Sequence, residues 1–121
     1  MSAYKQLLVR QKGIQLVKII YSISRGFPKD EQYGLTSQLR RAAVSIPSNI
    51  AEGNGRASRS EYLHFLSIAR GSCYEVETQL IICREIGFCS EEELLPVFSL
   101  VDEIARILNG MLHKLSPTPS N

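Results

Sequence analysis

The segment from Ala43 to Gly53 reads AVSIPSNIAEG, and it combines the spacing of a helix with residues that usually interrupt one. Its aliphatic residues Ala43, Ile46 and Ile50 recur at steps of three and four, and Gly53 continues the series. Pro47 removes one backbone hydrogen bond, to the carbonyl of Ala43, and disturbs the geometry of the residue before it. We therefore predict that the segment belongs to a continuous helix that bends at the proline.

The same segment carries three polar side chains, Ser45, Asn49 and Glu52, in a strip beside the apolar residues. Short polar side chains of this kind can hydrogen-bond neighbouring backbone groups, including those that a proline leaves without a partner. They could also pair across a subunit boundary. The strip is therefore predicted to have a structural role before a catalytic one.

Helical spacing continues on both sides of the segment. Apolar residues at steps of three and four predict helices over about 4–24, 32–53, 58–86 and 90–115. Two of these helices begin with a capping box, since Ser58 and Ser90 are each followed three residues later by a glutamate. Pro96 lies deep in the last helix, which predicts a kink there or a later start near Leu95.

The fold class follows from these four amphipathic helices and their short connections. They predict an all-α fold, an antiparallel up-down-up-down four-helix bundle whose second helix is kinked. A chain of 121 residues with 44% hydrophobic and 21% charged residues is long and apolar enough for one packed domain. We predict that domain over residues 1–115 and a disordered tail over 116–121.

Cellular location is indicated by the lack of long apolar stretches and by the cysteines. Lysines and arginines interrupt the first 25 residues, so no secretory signal is predicted, and no apolar run is long enough to span a membrane. The three cysteines form no CxxC pair, which is typical of reduced thiols. A cytoplasmic protein is predicted.

Charge is unevenly distributed along the chain, although the net charge is only +2. Residues 1–60 carry ten lysines and arginines against three acids, whereas residues 61–121 carry four against nine. This difference predicts either an anionic partner for the first half or attraction between the halves. Internal salt bridges within the bundle are the alternative explanation.

The sequence gives little support for a metal site or for a nucleophilic cysteine. Glu61-x-x-His64 is half of the pattern that holds a di-iron site in a four-helix bundle, but the other histidine, His113, has Gly110 in place of the glutamate. Cysteines on a core face behave as inert hydrophobes. Two cysteines, Cys73 and Cys83, lie on the predicted core face of the third helix, and Cys89 is predicted to be more exposed.

The turn Gly53-Asn54-Gly55-Arg56 precedes a helix and invites comparison with a phosphate-binding loop. The full glycine pattern and the preceding strand are both absent, so an interhelical turn is the favoured interpretation. The sequence therefore predicts no catalytic residue, no cofactor and no metal, and the protein is expected not to be an enzyme.

Apolar residues that the core does not need suggest a second packing surface. On a helical wheel they lie away from the core stripes of the second and third helices. A homo-oligomer is predicted on this basis. The candidate interface residues are Tyr33, Val44, Pro47, Ala51, Leu63, Tyr74 and Ile81.

The stretch from Tyr33 to Leu80, YGLTSQLRRAAVSIPSNIAEGNGRASRSEYLHFLSIARGSCYEVETQL, together with Leu108-Asn-Gly110, resembles the bacterial four-helix-bundle proteins that are encoded in intervening sequences of 23S rRNA genes. The resemblance extends from the first helix to Leu115. It implies antiparallel bundles that assemble as rings, typically homopentamers. It also implies kinship with the accessory variability determinant of diversity-generating retroelements, a pentamer that binds nucleic acid and works with a reverse transcriptase.

Two functions are predicted as alternatives. The first is a non-enzymatic oligomer that binds RNA or DNA through a repeated basic surface, where weak phosphate contacts add up. The second is a scaffolding ring for a protein partner such as a reverse transcriptase, without direct nucleic-acid binding. The candidate nucleic-acid-binding residues are Arg40, Arg41, Arg56, Arg59, Lys12 and Lys18.

Overall fold

A computed structural model describes residues 3–115, and all regular structure within them is helical. The predicted all-α class is therefore confirmed. The predicted tail over 116–121 lies outside the described residues. The elements are α1 (Ala3–Ser24), a 3-10 turn (Lys29–Glu31), α2 (Leu35–Asn54), α3 (Arg59–Glu85) and α4 (Glu91–Leu115).

The helices pack in chain order around one core. The helix α2 lies between α1 and α3, and α4 packs against both α3 and α1, while the backbones of diagonal helices stay apart within residues 3–115. Contacts between α1 and α2 run in opposite chain directions, because Arg40 reaches Ser24 whereas Pro47 lies against Gly13. This order of contacts supports the predicted up-down arrangement, which stays a prediction together with the bend at the proline.

Both serine caps form at the predicted helix starts, and the capping box is complete at α4. The Ser58 hydroxyl accepts a hydrogen bond from the Glu61 amide at 3.1 Å. At α4 the exchange is reciprocal, since the Glu93 amide donates to the Ser90 hydroxyl and the Ser90 amide donates to the Glu93 carboxylate, each at 3.1 Å. The helix therefore begins at Glu91 and not near Leu95.

The second helix begins three residues later than predicted. The 3-10 turn ends at Glu31, and the carboxylate of Glu31 accepts a hydrogen bond from the Leu35 amide at 3.1 Å. Gly34 occupies the N-cap position and has no side chain to cap the helix. The preceding turn therefore supplies the cap, which simple helical spacing does not reveal.

The segment 43–53 interlocks α2 with both of its neighbours. A Cβ atom added to Gly13 would lie 3.3 Å from the ring of Pro47, so the missing side chain lets α1 cover the proline. A Cβ atom on Gly53 would lie 2.9 Å from the Cβ of Phe65, so the missing side chain at Gly53 lets α3 approach α2 closely. Pro47 is buried, and its predicted place opposite the core is wrong.

Candidate nucleic-acid interface

Two of the predicted nucleic-acid-binding residues, Lys12 on α1 and Arg40 on α2, already have contacts within the chain. Lys12 forms an ion pair with Glu103 at 3.0 Å, which ties α1 to α4. The Nε of Arg40 donates to the Ser24 hydroxyl at 2.8 Å, and its guanidinium lies 4.5 Å from the centre of the Tyr21 ring. These contacts hold both cations against the bundle, so neither side chain could bind a phosphate without breaking its contacts within the chain.

Arg56 and Arg59, near the start of α3, are also partnered. Arg56 forms an ion pair with Glu52 one helical turn earlier, and its guanidinium lies 4.8 Å from the centre of the Phe65 ring. Arg59 has an interaction partner within the chain as well. The internal salt-bridging that the sequence left as an alternative therefore accounts for part of the positive charge of the first half.

The other two predicted residues, Lys18 and Arg41, have exposed side chains. Their side chains make no hydrogen bond or ion pair with any residue between 3 and 115. Arg25 and Lys29, which sequence reasoning did not select, are exposed and equally unpartnered within that range. The signal that would have found Arg25 is its position directly after α1, seven residues beyond the exposed Lys18.

Two arginines of the second half pair with neighbouring acids, and the third, Arg70, donates to the side-chain carbonyl of Asn109 at 3.0 Å. Arg84 pairs with Glu85 at 3.3 Å and with Glu91 at 3.9 Å. Arg106 pairs with Asp102 at 2.8 Å, one turn earlier on α4. The unpaired positive charge of the described residues is therefore concentrated on α1, on the connection that follows it and on the first turns of α2.

The predicted interface residues do not form one surface in the structure. Val44 and Ala51 lie on the outer side of the α1/α2 pair, where Ala51 lines a cavity together with Leu7. Tyr74 and Ile81 belong to the α3/α4 side, where Ile81 lines a groove with Leu95 and others. The bundle therefore exposes apolar residues on two opposite sides.

The remaining interface candidates have other surroundings. Leu63 is half-buried and packs against the core, and Pro47 is buried beneath α1. Tyr33 is 90% exposed and lines a groove between α2 and α3. None of these three extends the apolar surface on either side of the bundle.

The polar strip of the segment 43–53 makes contacts within the subunit. The Asn49 amide donates to the carbonyl and to the hydroxyl of Ser45, both at 2.8 Å. The Ser45 and Ser72 hydroxyls are hydrogen-bonded at 2.8 Å, which links α2 to α3. Ser45 and Asn49 thus contribute polar contacts within α2 and between α2 and α3. The two roles predicted for the strip, satisfying the Ala43 carbonyl and pairing across a subunit boundary, stay predictions.

The cysteines are in an environment that disfavours nucleophilic chemistry. All three are buried, and Cys89 is only 6% exposed, so its predicted exposure is wrong. Burial raises the pKa of Cys73 to about 12, with a further contribution from the negative charge of Glu77, and burial likewise raises the pKa of Cys83 to about 12. Thiols with such pKa values stay protonated near neutral pH, where the nucleophilic thiolate is required.

Residues 3–115 lack both a metal-ligand cluster and a membrane-spanning helix. No group of three or more histidine, cysteine or acidic side chains within 3–115 is placed to hold a metal ion. His64, the histidine of the half-motif, is exposed and meets the edge of the Phe65 ring at 5.5 Å between centres. None of the four helices, over the residues described, is long and apolar enough to cross a membrane.

These observations define the class of protein: an all-helical four-helix bundle with unpartnered cations on α1, in the connection that follows it and early in α2. The chain belongs to the 23S rRNA-intervening sequence protein family, whose sequence model matches residues 5–110. The resemblance found in the sequence is thereby confirmed at the level of this family.

A solved structure shows the same fold. It is a protein with unknown function from the S23 ribosomal protein family of Bacteroides thetaiotaomicron, with 22% sequence identity and a TM-score of 0.81. The match covers 90% of this chain and 98% of that one. At this identity the likeness establishes the fold and leaves function to other arguments. A comparison with curated proteins gave no match.

Proposed function

We propose that this protein is a non-enzymatic, homo-oligomeric nucleic-acid-binding protein of the cytoplasm. The observation that carries the proposal is the set of unpartnered cations at the end of the α1/α2 pair. These are Lys18, Arg25, Lys29 and Arg41. Nucleic-acid backbones are polyanions, and neutralising their phosphates releases counterions, which favours binding.

Assembly would multiply this surface. Each phosphate contact is weak, but several copies of one cationic patch on a rigid oligomer act together and raise the overall affinity. Exposed apolar side chains on two opposite sides of the bundle support such an assembly, because head-to-tail association needs two different complementary faces. The pentameric state and the kinship with accessory variability determinants are implied by the resemblance and stay predictions.

Salt dependence tests nucleic-acid binding. We expect the affinity for a labelled single-stranded RNA, measured by fluorescence anisotropy, to fall steeply between about 50 and 200 mM salt. The double substitution Lys18→Ala with Arg25→Ala should reduce the slope of log K against log salt by about 1.4, since each lost contact with a single strand contributes about 0.7.

The matched control is Arg106→Ala with Lys114→Ala, which removes two exposed cations from α4. This variant should keep nearly the whole slope of the unmodified protein. Absence of binding at the lowest salt concentration would refute the proposal, and so would equal losses in the two double variants.

A scaffolding ring for a protein partner is the second candidate. It is favoured by the groove between α3 and α4, where the apolar side chains of Ile81, Leu95 and Phe98 line a cavity of about 450 Å³. A partner that binds there should remain associated after nuclease treatment of a native extract. Loss of every associated protein on nuclease treatment would favour nucleic-acid binding instead.

A further inference from the structure

A groove between α2 and α3 shares one cation, Arg41, with the proposed phosphate contacts and adds polar groups that those contacts do not use. Its volume is about 370 Å³, within the range of small-ligand pockets. From Ser37 to Ser45 it follows α2 for about 12 Å, at 1.5 Å per residue. The lining residues are Tyr33, Ser37, Gln38, Arg41, Ala42, Ser45 and Glu75.

One polar side chain on each wall, Glu75 on α3 and Ser45 on α2, is held in place from behind. On α3, the amide of Gln79 donates to the Glu75 carboxylate at 3.3 Å. Gln79 is itself 7% exposed, and its Oε1 has no hydrogen-bond partner among the residues described. On α2, Ser45 is fixed by its bonds to Asn49 and Ser72. Such support fixes these two side chains relative to the helix backbones.

Among the lining residues, Arg41, Glu75 and Tyr33 differ most in chemistry. Arg41 offers several N–H donors and has no hydrogen-bond or ion-pair partner within residues 3–115, whereas Glu75 offers a carboxylate acceptor. Tyr33 adds an aromatic ring that is 90% exposed. One cation and one anion on opposite walls suit a neutral ligand with donors and acceptors more than they suit a phosphate, which Glu75 would repel.

We infer that this groove binds an unpaired guanine base of a single-stranded nucleic acid, an assignment that rests on the proposed nucleic-acid-binding function. Guanine presents O6 and N7 acceptors that match an arginine, and N–H donors at N1 and N2 that match a carboxylate. Unpaired bases are recognised in this way, by stacking on aromatic side chains and by hydrogen bonds to their edges. The exposed ring of Tyr33 provides the stacking surface at one end of the groove.

The test compares short single-stranded RNAs that differ at one central position, which is guanine, adenine or abasic. Fluorescence anisotropy should show the guanine RNA binding about tenfold more tightly than the abasic RNA. Tyr33→Ala should abolish this preference, while Tyr33→Phe, which keeps the ring, should retain it. Glu75→Gln should remove the preference for guanine over adenine without removing the gain over the abasic RNA.

The exposure of Tyr33 makes its substitution compatible with the fold, and light scattering checks that the assembly is unchanged. If a substitution of Tyr33 changes the assembly, the result for Glu75→Gln decides the test. Equal affinities of the unmodified protein for the guanine and abasic RNAs would overturn the groove assignment. It would also be overturned if Tyr33→Ala still preferred guanine to the abasic RNA and Glu75→Gln still preferred guanine to adenine. Either result leaves the proposed function standing. If no RNA binds at all, the proposed function itself fails.

Discussion

At the scale of single residues, the fold depends on positions where a side chain is missing. Helices approach closely where a glycine leaves room, as Gly53 does for Phe65 and Gly13 does for Pro47. The spacing of apolar residues placed Gly53 on the core face of α2. Gly13 lies at the same kind of spacing between Val9 and Leu16 of α1. The spacing could not show what each one touches, because the contacting residues lie on other helices.

Gly53→Ala should destabilise the bundle. The new Cβ would lie 2.9 Å from the Cβ of Phe65 and 3.3 Å from the carbonyl oxygen of Tyr62, so the helices must move apart. We expect a loss of about 1–3 kcal/mol in the free energy of unfolding, measured in urea. The control is Gly71→Ala on α3, where a Cβ meets nothing within 4 Å and the better helix former should stabilise by up to about 1 kcal/mol. Equal effects would show that crowding at Gly53 is not important.

The buried thiols predict how stability depends on alkaline pH. Burial raises the pKa of Cys73 from 9.0 to about 12, so the folded state holds a proton that the unfolded state releases earlier. This contribution is complete below pH 9.0 and should fall as the pH rises toward about 12. Unfolding in urea at several pH values measures it, and Cys73→Ala should flatten the decline. A decline of the same steepness in that variant would argue against the thiol as its source.

At the scale of helices, the ends are determined by local chemistry. Ser58 and Ser90 cap α3 and α4 as their spacing to the following glutamates predicted. The start of α2 was placed too early, because its cap comes from Glu31 in a 3-10 turn and not from the N-cap residue. Helical periodicity identifies the body of a helix better than it identifies a boundary that a neighbouring turn decides.

Ser90→Ala should weaken α4 by removing the acceptor for the Glu93 amide. Loss of a serine N-cap costs about 1 kcal/mol, which is the expected decrease in the free energy of unfolding. Ser99→Ala, at an exposed position within the same helix, is the matched substitution and should change stability by less than about 0.5 kcal/mol. Similar values for the two variants would mean that the cap contributes little.

At the scale of the whole molecule, the chain exposes apolar side chains on two opposite sides, and these faces are the basis for the proposed assembly. Ile81 on the α3/α4 side is 38% exposed and lies in a groove beside Leu95. Light scattering should give the unmodified protein a mass that is a multiple of 13.6 kDa, five times that value for the pentamer implied by the resemblance.

Ile81→Ser should shift the assembly toward a single chain while leaving the helical content unchanged. A serine at this position disturbs an apolar contact between copies of the chain. It removes little apolar contact from the core of each copy, because Ile81 is not one of the buried core residues. Ile86→Ser, at the end of α3, is the control and should keep the mass of the unmodified protein. A mass of one chain for the unmodified protein would refute the assembly, and an unchanged mass for Ile81→Ser would exclude this face from it.

The sequence by itself determined the all-α class, the four helices, two of their caps and the family, because these depend on spacing and capping within short stretches of chain. Only the tertiary structure decided which cations are unpaired, that Pro47 is buried, and that Arg41 and Glu75 face one groove. Each of those facts depends on which residues of different helices meet. Helical periodicity reports the side of a helix that is buried, but not the neighbour that buries it.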